Sequence, residues 1–200
     1  MNTRHLTLVI TSVFMLGLLS SCGDGTPERV VSETPIKTEI LGLKLCSASN
    51  GEAIKKAISK ATDKDFYYNS EKDGSSTRFR LSPRYDNHFS YGGVTWHYMD
   101  VYVNKEGIIA AIELTASLES QEQAQNLYDK MSKVLFQKYG VNNKSSIPEG
   151  RRAFWTDDKN SIGLVCYKGM TVDGRNRYFC SMYYVNRDLY GKIESAMQDV

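Results

Sequence analysis

The chain has 200 residues, 41% of them hydrophobic and 24% charged, and its 25 Lys and Arg residues against 23 Asp and Glu give a net charge of +2. That balance excludes the strong basic footprint of a nucleic-acid-binding protein, so no nucleic-acid partner is expected. The length suits one domain with its own core. Abundant tyrosine (13 residues) and scarce proline (4) favour an ordered, β-rich domain.

The first residues have the parts of a secretory signal peptide. A basic region with Arg4 precedes an uncharged apolar stretch from Leu6 to Leu19, which is too short to span a membrane as a helix. The stretch ends in Leu19-Ser20-Ser21-Cys22, which resembles the lipobox of bacterial lipoproteins. The resemblance implies that the leader, residues 1–21, is removed and that the Cys22 thiol carries lipid.

This resemblance also implies a location. A lipidated Cys22 would anchor the protein in the bacterial cell envelope, and several acyl chains hold a protein stably where a single chain would not. Gly23 follows the cysteine and Asp24 comes one place later, which favours the outer membrane over the inner one. The alternative is a plain secretory leader with a chance cysteine.

After the leader, residues 22–38 hold Gly, Thr, Pro, Glu and Ser without apolar periodicity, as in a flexible tether. Residues 39–200 are predicted to form a single domain. It begins with a strand at 40–45 and a helix whose apolar stripe includes Ile54 and Ile58. Two strands are predicted between 65 and 82. A clear hairpin follows, with arms at 94–103 and 108–114 around a turn at 104–107.

The second half starts with a strong helix. A capping box of Ser120 and Gln123 begins it and Gly140 ends it. Three strands are predicted next, at 152–156, 162–167 and 178–185. A short helix that includes Tyr190 and Ile193 closes the chain.

The element order predicts an α+β fold, in which helices pack on one face of an antiparallel sheet. Helix and strands occur twice, which suggests two diverged helix-plus-meander halves, 39–116 and 117–200. This order, with the Leu-Gly-Leu-Lys-Leu segment at 41–45 before the first helix, resembles the β-lactamase inhibitor protein and related small envelope lipoproteins. The resemblance implies that a partner protein binds on the concave face of the sheet.

Two cysteines of the predicted domain are candidates for a disulfide. Cys166 and Cys180 flank the turn Val172-Asp173-Gly174. A two-residue turn would put them on opposite faces of the ribbon, whereas a three-residue loop would put them directly opposite each other. The alternative is buried thiols that act as small hydrophobic groups. We expect no metal, because there is no Cys-x-x-Cys pair and only His88 and His97 follow the leader, and we expect no cofactor.

The hairpin carries the candidate binding site. If Val103 pairs with Ile108, one face is apolar and the other collects aromatic and acidic side chains. The residues of this second face proposed for binding are Trp96, Tyr98, Asp100, Tyr102 and Glu113. Aromatic side chains on an uncovered sheet are typical of protein interfaces. The face therefore predicts a non-enzymatic module that binds another envelope protein.

Two alternatives stay open. Asp100 and Glu113 would lie diagonally, about 7–8 Å apart at Cβ, which is in the range of paired carboxylates in glycoside hydrolysis. The face could then bind or process a glycan. In the second alternative the aromatic side chains only stabilise cross-strand packing. No complete catalytic set is recognised in the sequence.

Overall fold

The computed structural model describes residues 30–73, 76–83, 88–147, 150–170 and 175–191. The leader, Cys22, the turn at Asp173-Gly174 and Ile193 lie outside the described residues. Helix α1 is Gly51–Thr62, helix α2 is Gln121–Tyr139, and a further helix begins at 187 and is described to 191. The strands are β1 (Glu39–Ile40), β2 (Leu43–Lys44), β3 (Phe66–Asp73), β4 (Ser76–Pro83), β5 (Phe89–Tyr91), β6 (Val94–Trp96), β7 (Tyr98–Asn104), β8 (Ile109–Leu118), β9 (Asn143–Ile147), β10 (Gly150–Thr156), β11 (Asn160–Met170) and β12 (Asn176–Asn186).

One large sheet organises the described chain. It has eight strands in the order β3-β4-β7-β8-β12-β11-β10-β9, and every neighbouring pair is antiparallel. Strands β1-β2 and β5-β6 form separate two-stranded hairpins. The predicted α+β class is confirmed.

The two parts of the sheet have the same element order. In each part a helix is followed by four strands of the large sheet, β3, β4, β7 and β8 after α1, and β9 to β12 after α2. The last strand of each part pairs with the last strand of the other, so β8 and β12 form the seam in the middle. The small β5-β6 hairpin is inserted between β4 and β7.

The helices bury apolar stripes against one face of the sheet, which we call the core face. Ile54 and Ile58 of α1 are fully buried, and α2 buries side chains at helical spacing from Ala124 to Tyr139. The predicted start of α2 is confirmed, because the Ser120 hydroxyl accepts a hydrogen bond from the Gln123 amide at 3.2 Å. The opposite face of the sheet is called the outer face below.

The segment before the domain is attached to it over part of its length. The Ser32 amide donates to the Thr156 carbonyl at 2.7 Å and the Ile36 amide donates to the Asp157 carboxylate at 2.8 Å. Ile36 is buried. The prediction that the tether extends to residue 38 is therefore wrong. The sequence of this segment could not show the attachment, because the groups that accept hydrogen bonds from its amides lie more than a hundred residues further along the chain.

The predicted single strand at 40–45 is instead a tight hairpin. Its turn is Leu41-Gly42, with positive φ at both residues (48° and 79°), as a type I′ turn requires. The turn packs on α1 so closely that a Cβ on Gly42 would lie 2.9 Å from the Ala57 carbonyl oxygen. Only glycine satisfies both the backbone conformation and this contact.

We predict that Gly42→Ala lowers the free energy of unfolding by about 2–3 kcal/mol, from left-handed strain plus the clash with α1. Urea denaturation measures this as a lower midpoint with an unchanged slope. Gly191→Ala is the control, because a Cβ at Gly191 meets nothing within 4 Å. Equal stability of the two variants would contradict the described packing of the turn.

Candidate functional site

The hairpin of β7 and β8 places four of the five predicted residues on the outer face. Tyr98, Asp100 and Tyr102 alternate along β7 with residues that point into the core, such as Met99 and Val101, and Glu113 lies on β8. The predicted register is wrong: Val103 pairs with Ile109 instead of Ile108, and the irregularity between Tyr102 and Val103 makes the difference two residues from Tyr98 to Tyr102. An even shift keeps each side chain on its face. It makes Asp100 and Glu113 direct cross-strand neighbours rather than diagonal ones.

Trp96 is not part of this face, so its predicted place there is wrong. It is fully buried in the core, opposite Phe89 of the β5-β6 hairpin, and its indole N–H donates to the Tyr91 carbonyl at 3.0 Å. The predicted arm at 94–103 is broken at His97. There the imidazole Nδ1 accepts the Ser117 amide at 3.1 Å, in place of a backbone carbonyl.

Asp100 is buried beside a compensating charge. Its carboxylate is 2% exposed and accepts two hydrogen bonds from the Arg80 guanidinium, at 2.8 and 2.7 Å. This bidentate pairing is the strongest geometry available to a carboxylate and an arginine. Bonding to Asp100 raises the pKa of Arg80, so that side chain stays charged.

Among the described residues Glu113 has no such ion pair, and it is hydrogen-bonded by hydroxyl groups. It accepts hydrogen bonds from the Tyr102 hydroxyl at 3.1 Å and from the Thr115 hydroxyl at 2.9 Å. The Thr115 hydroxyl lies 2.9 Å from the Ser181 hydroxyl, and Ser181 and Tyr183 also hydrogen-bond to Glu113. Burial, followed by the nearby Asp100 charge, raises the pKa of Glu113. The Arg80 guanidinium is thus bound by Asp100, whereas Glu113 lies buried beside that ion pair and is stabilised by neutral hydrogen-bond donors.

Tyrosine rings surround these acids. Tyr183 of β12 lies directly opposite Glu113 and is the cross-strand partner of Gly163 on β11, so its side chain packs against that glycine. At one end of the cluster, Tyr102 meets Tyr190 of the last described helix edge to face, with ring centroids 6.0 Å apart. Tyr102 is only 7% exposed. That end of the outer face is therefore occupied by the chain itself.

The other end of the outer face is open and aromatic. Tyr98 is 40% exposed and Tyr67 of β3 is 57% exposed. Both lie on the outer face, on either side of β4. The Arg80 guanidinium stands 5.8 Å from the centroid of the Tyr98 ring, in cation–π range. We call Tyr67, Tyr98 and Arg80 the tyrosine rim.

Arg80 and Tyr67 were not among the residues predicted for the site. A pattern in β4 could have identified Arg80, because charged and apolar residues alternate there: Arg78 and Arg80 are interleaved with Phe79 and Leu81. That alternation puts both arginines on one face. Their meeting with Asp100 depends on the pairing of β4 with β7, which no local pattern specifies.

Cys166 and Cys180 lie directly opposite each other on β11 and β12. Of the two predicted alternatives, this pairing is the one expected for a three-residue loop and not for a two-residue turn. Both are buried and both are free thiols. Cys46 is also free and is exposed. Among the described residues, no group of three His, Cys, Asp or Glu side chains is arranged to hold a metal ion.

Neither protein-family models, nor curated proteins, nor solved structures give a match to this chain. In the described ranges, no helix has the length and apolar character needed to cross a membrane. The function is therefore argued from the site.

We predict that Glu113→Gln removes part of the pH dependence of stability. The raised pKa means that the folded protein keeps the Glu113 proton to higher pH than the unfolded chain does. Stability from this group is therefore present in acid and is lost as the pH rises from the unfolded value, 4.5, through the folded one. The amide stays neutral, so this loss should not occur in the variant.

The measurement is the free energy of unfolding of both proteins by urea, from about pH 5 to about pH 8. The stability of wild type minus that of Glu113→Gln should fall with rising pH. Taking this difference cancels groups common to both, such as His97, whose pKa burial lowers. If the difference in stability does not change with pH, the pKa of Glu113 is not raised in the folded protein.

Proposed function

We propose that this chain is a lipid-anchored envelope protein that binds another envelope protein through the tyrosine rim, without catalysis. The observation that carries the proposal is the exposure of Tyr67 and Tyr98 on a face whose centre is fixed by buried hydrogen bonds and an ion pair. Tyrosine and arginine are the residue types that most often dominate binding energy at protein interfaces.

The rim is well prepared for binding. The side chain of Arg80 is 43% exposed, but two hydrogen bonds to Asp100 hold it in place. It therefore loses little conformational freedom when a partner packs on it or on the adjacent Tyr98 ring. Tyrosine side chains also lose few rotamers for the area that they bury. A rigid surface of this kind gains affinity because less ordering is needed on association.

The state of the acids argues against glycan processing. Asp100 and Glu113 are 2% and 5% exposed, and both are engaged by neighbouring side chains. A glycosidase needs its two carboxyl groups on either side of an accessible bond. Here both acids are buried and Asp100 holds Arg80 in place. Tyr67 and Tyr98 are the exposed groups that a partner would touch.

The anchor is proposed from the resemblance of the leader to a lipobox. Val30, the first described residue, comes eight positions after Cys22. An extended chain covers roughly 3.3–3.6 Å per residue, so this link would keep the domain within on the order of 30 Å of the bilayer. The partner is therefore expected in the same envelope, either in the membrane or close to it.

We predict that Tyr67→Ala/Tyr98→Ala weakens binding of the envelope partner on the order of 30-fold or more, because both rings are lost from the contact. The full-length protein is immobilised in detergent and exposed to a solubilised envelope extract. Retained proteins are identified by mass spectrometry, and their affinity is then measured with purified components. Both substitutions are at exposed positions, so folding should be preserved.

The matched control is Phe136→Ala/Val141→Ala. These residues are 51% and 58% exposed and lie at the end of α2 and just after it, away from the outer face. The proposal requires a partner that is lost with the tyrosine variant and kept with this control. No retained protein, or equal loss with both variants, would overturn it, and binding of glycans on an array would then become the next test.

A further inference from the structure

The register of β11 and β12 makes Cys166 and Cys180 a cross-strand pair. They are direct partners in a ladder that continues without a break from Asn160–Asn186 to Met170–Asn176. Directly paired residues of antiparallel strands have Cα atoms about 4.5 or 5.5 Å apart. Both spacings lie within the range that a disulfide spans, about 4.4–6.8 Å. The backbone therefore already satisfies the distance requirement.

The side chains also point the same way. Cys166 and Cys180 both belong to the core cluster, together with Tyr128 of α2 and Ala116 of β8. Ala116 is the partner of Cys180 on its other side. Since cross-strand partners share a face of the sheet, the two sulfur atoms point into the same part of the core under α2. Cys46 is exposed and precedes α1, outside this pair.

We propose that Cys166 and Cys180 are a disulfide-forming pair, which the structure shows in its reduced state. On oxidation the two S–H bonds break and one Sγ–Sγ bond forms. Two protons and two electrons pass to an oxidant of the thiol–disulfide class, such as oxidised glutathione or a disulfide-exchange protein. The product would join β11 to β12 under α2 and close the loop between them.

The rate of this reaction should depend on the folding state. Burial raises the pKa of both thiols, and the thiolate is the species that attacks a disulfide. α2 also limits access of an oxidant. The bond should therefore form slowly in the folded protein and rapidly in partly unfolded chains, and a reductant should remove it slowly once the core is closed.

The test starts from the full-length protein, reduced and then refolded in a glutathione buffer as oxidising as a secretory compartment. Free thiols are alkylated in denaturant, and digested peptides are analysed by mass spectrometry without reduction. A linked peptide pair containing Cys166 and Cys180, lighter by two hydrogen atoms than the reduced pair, supports the proposal. Alkylated Cys46 in the same digest shows that the reagent was active.

Thermal unfolding provides a second readout that does not depend on peptide recovery. Reductant should lower the Tm of oxidised wild type and of the matched variant Cys46→Ala by several degrees. It should leave the Tm of Cys166→Ala/Cys180→Ala unchanged. Cys166 and Cys180 that stay free in the redox buffer, or that link to Cys46 instead, would overturn the pairing.

A separate arm tests the compartment, which rests on the proposed envelope location. Thiols are trapped with acid and alkylated at the moment of cell lysis in the native source. The Cys166–Cys180 link in that sample supports both the pair and an oxidising location. A link that forms in redox buffer but not in cells leaves the pairing intact and counts against the proposed location.

Discussion

Eight consecutive residue pairs, from Tyr178–Leu118 to Val185–Ala111, join β12 to β8 and turn two four-stranded halves into one sheet. Without this seam each half would end in an open strand edge, which proteins normally avoid. Helix α2 packs across it, in contact with β8, β11 and β12. The seam thus determines where the core lies under α2 and which side chains meet on the outer face.

The polar cluster on the outer face spans the same seam. Glu113 and Thr115 come from β8, while Ser181 and Tyr183 come from β12. A buried carboxylate is costly unless it is paired or hydrogen-bonded, and two of the groups that hydrogen-bond to Glu113, Ser181 and Tyr183, lie on the other strand of the seam. A slip of one residue would separate the donors from the acid. The cluster therefore favours one register of the seam, and the exposed tyrosine rim lies to one side of it.

The same cluster explains the composition of the rim. Asp100 and Glu113 are direct neighbours, and like charges at such positions repel. Arg80, on the next strand, compensates one of them and is held at the boundary between the buried acids and solvent. Tyr98 of β7 packs beside that guanidinium, and Tyr67 lies on β3, on the other side of β4. Asp100 thus holds the Arg80 guanidinium in position beside the Tyr98 ring.

Features that depend on local sequence could be predicted. The α+β class, the start of α2 at Ser120, its end at Gly140 and the turn at 104–107 follow from capping, periodicity and turn chemistry. The alternation of β7 also identified Tyr98, Asp100 and Tyr102 as one face.

Features that depend on distant contacts could not be predicted. The ladder irregularity after Tyr102 changed the partner of Asp100, and the side-chain hydrogen bond of His97 broke the arm that would have placed Trp96 on the outer face. For Trp96 a local signal was present. Gly92-Gly93, with φ of 65° and 69°, is a two-residue hairpin turn that pairs β6 with β5 and so separates it from β7.

The most direct test of the central claim is photo-crosslinking in intact cells of the native source. A photoreactive phenylalanine analogue replaces Tyr98, Tyr67 or Phe136, one at a time, in the full-length protein. We expect a discrete protein adduct from positions 98 and 67 and none from position 136, which is 51% exposed, a value between those of Tyr98 and Tyr67, but belongs to α2. Adducts from position 136 alone, or the same adducts from all three positions, would contradict a binding surface on the outer face.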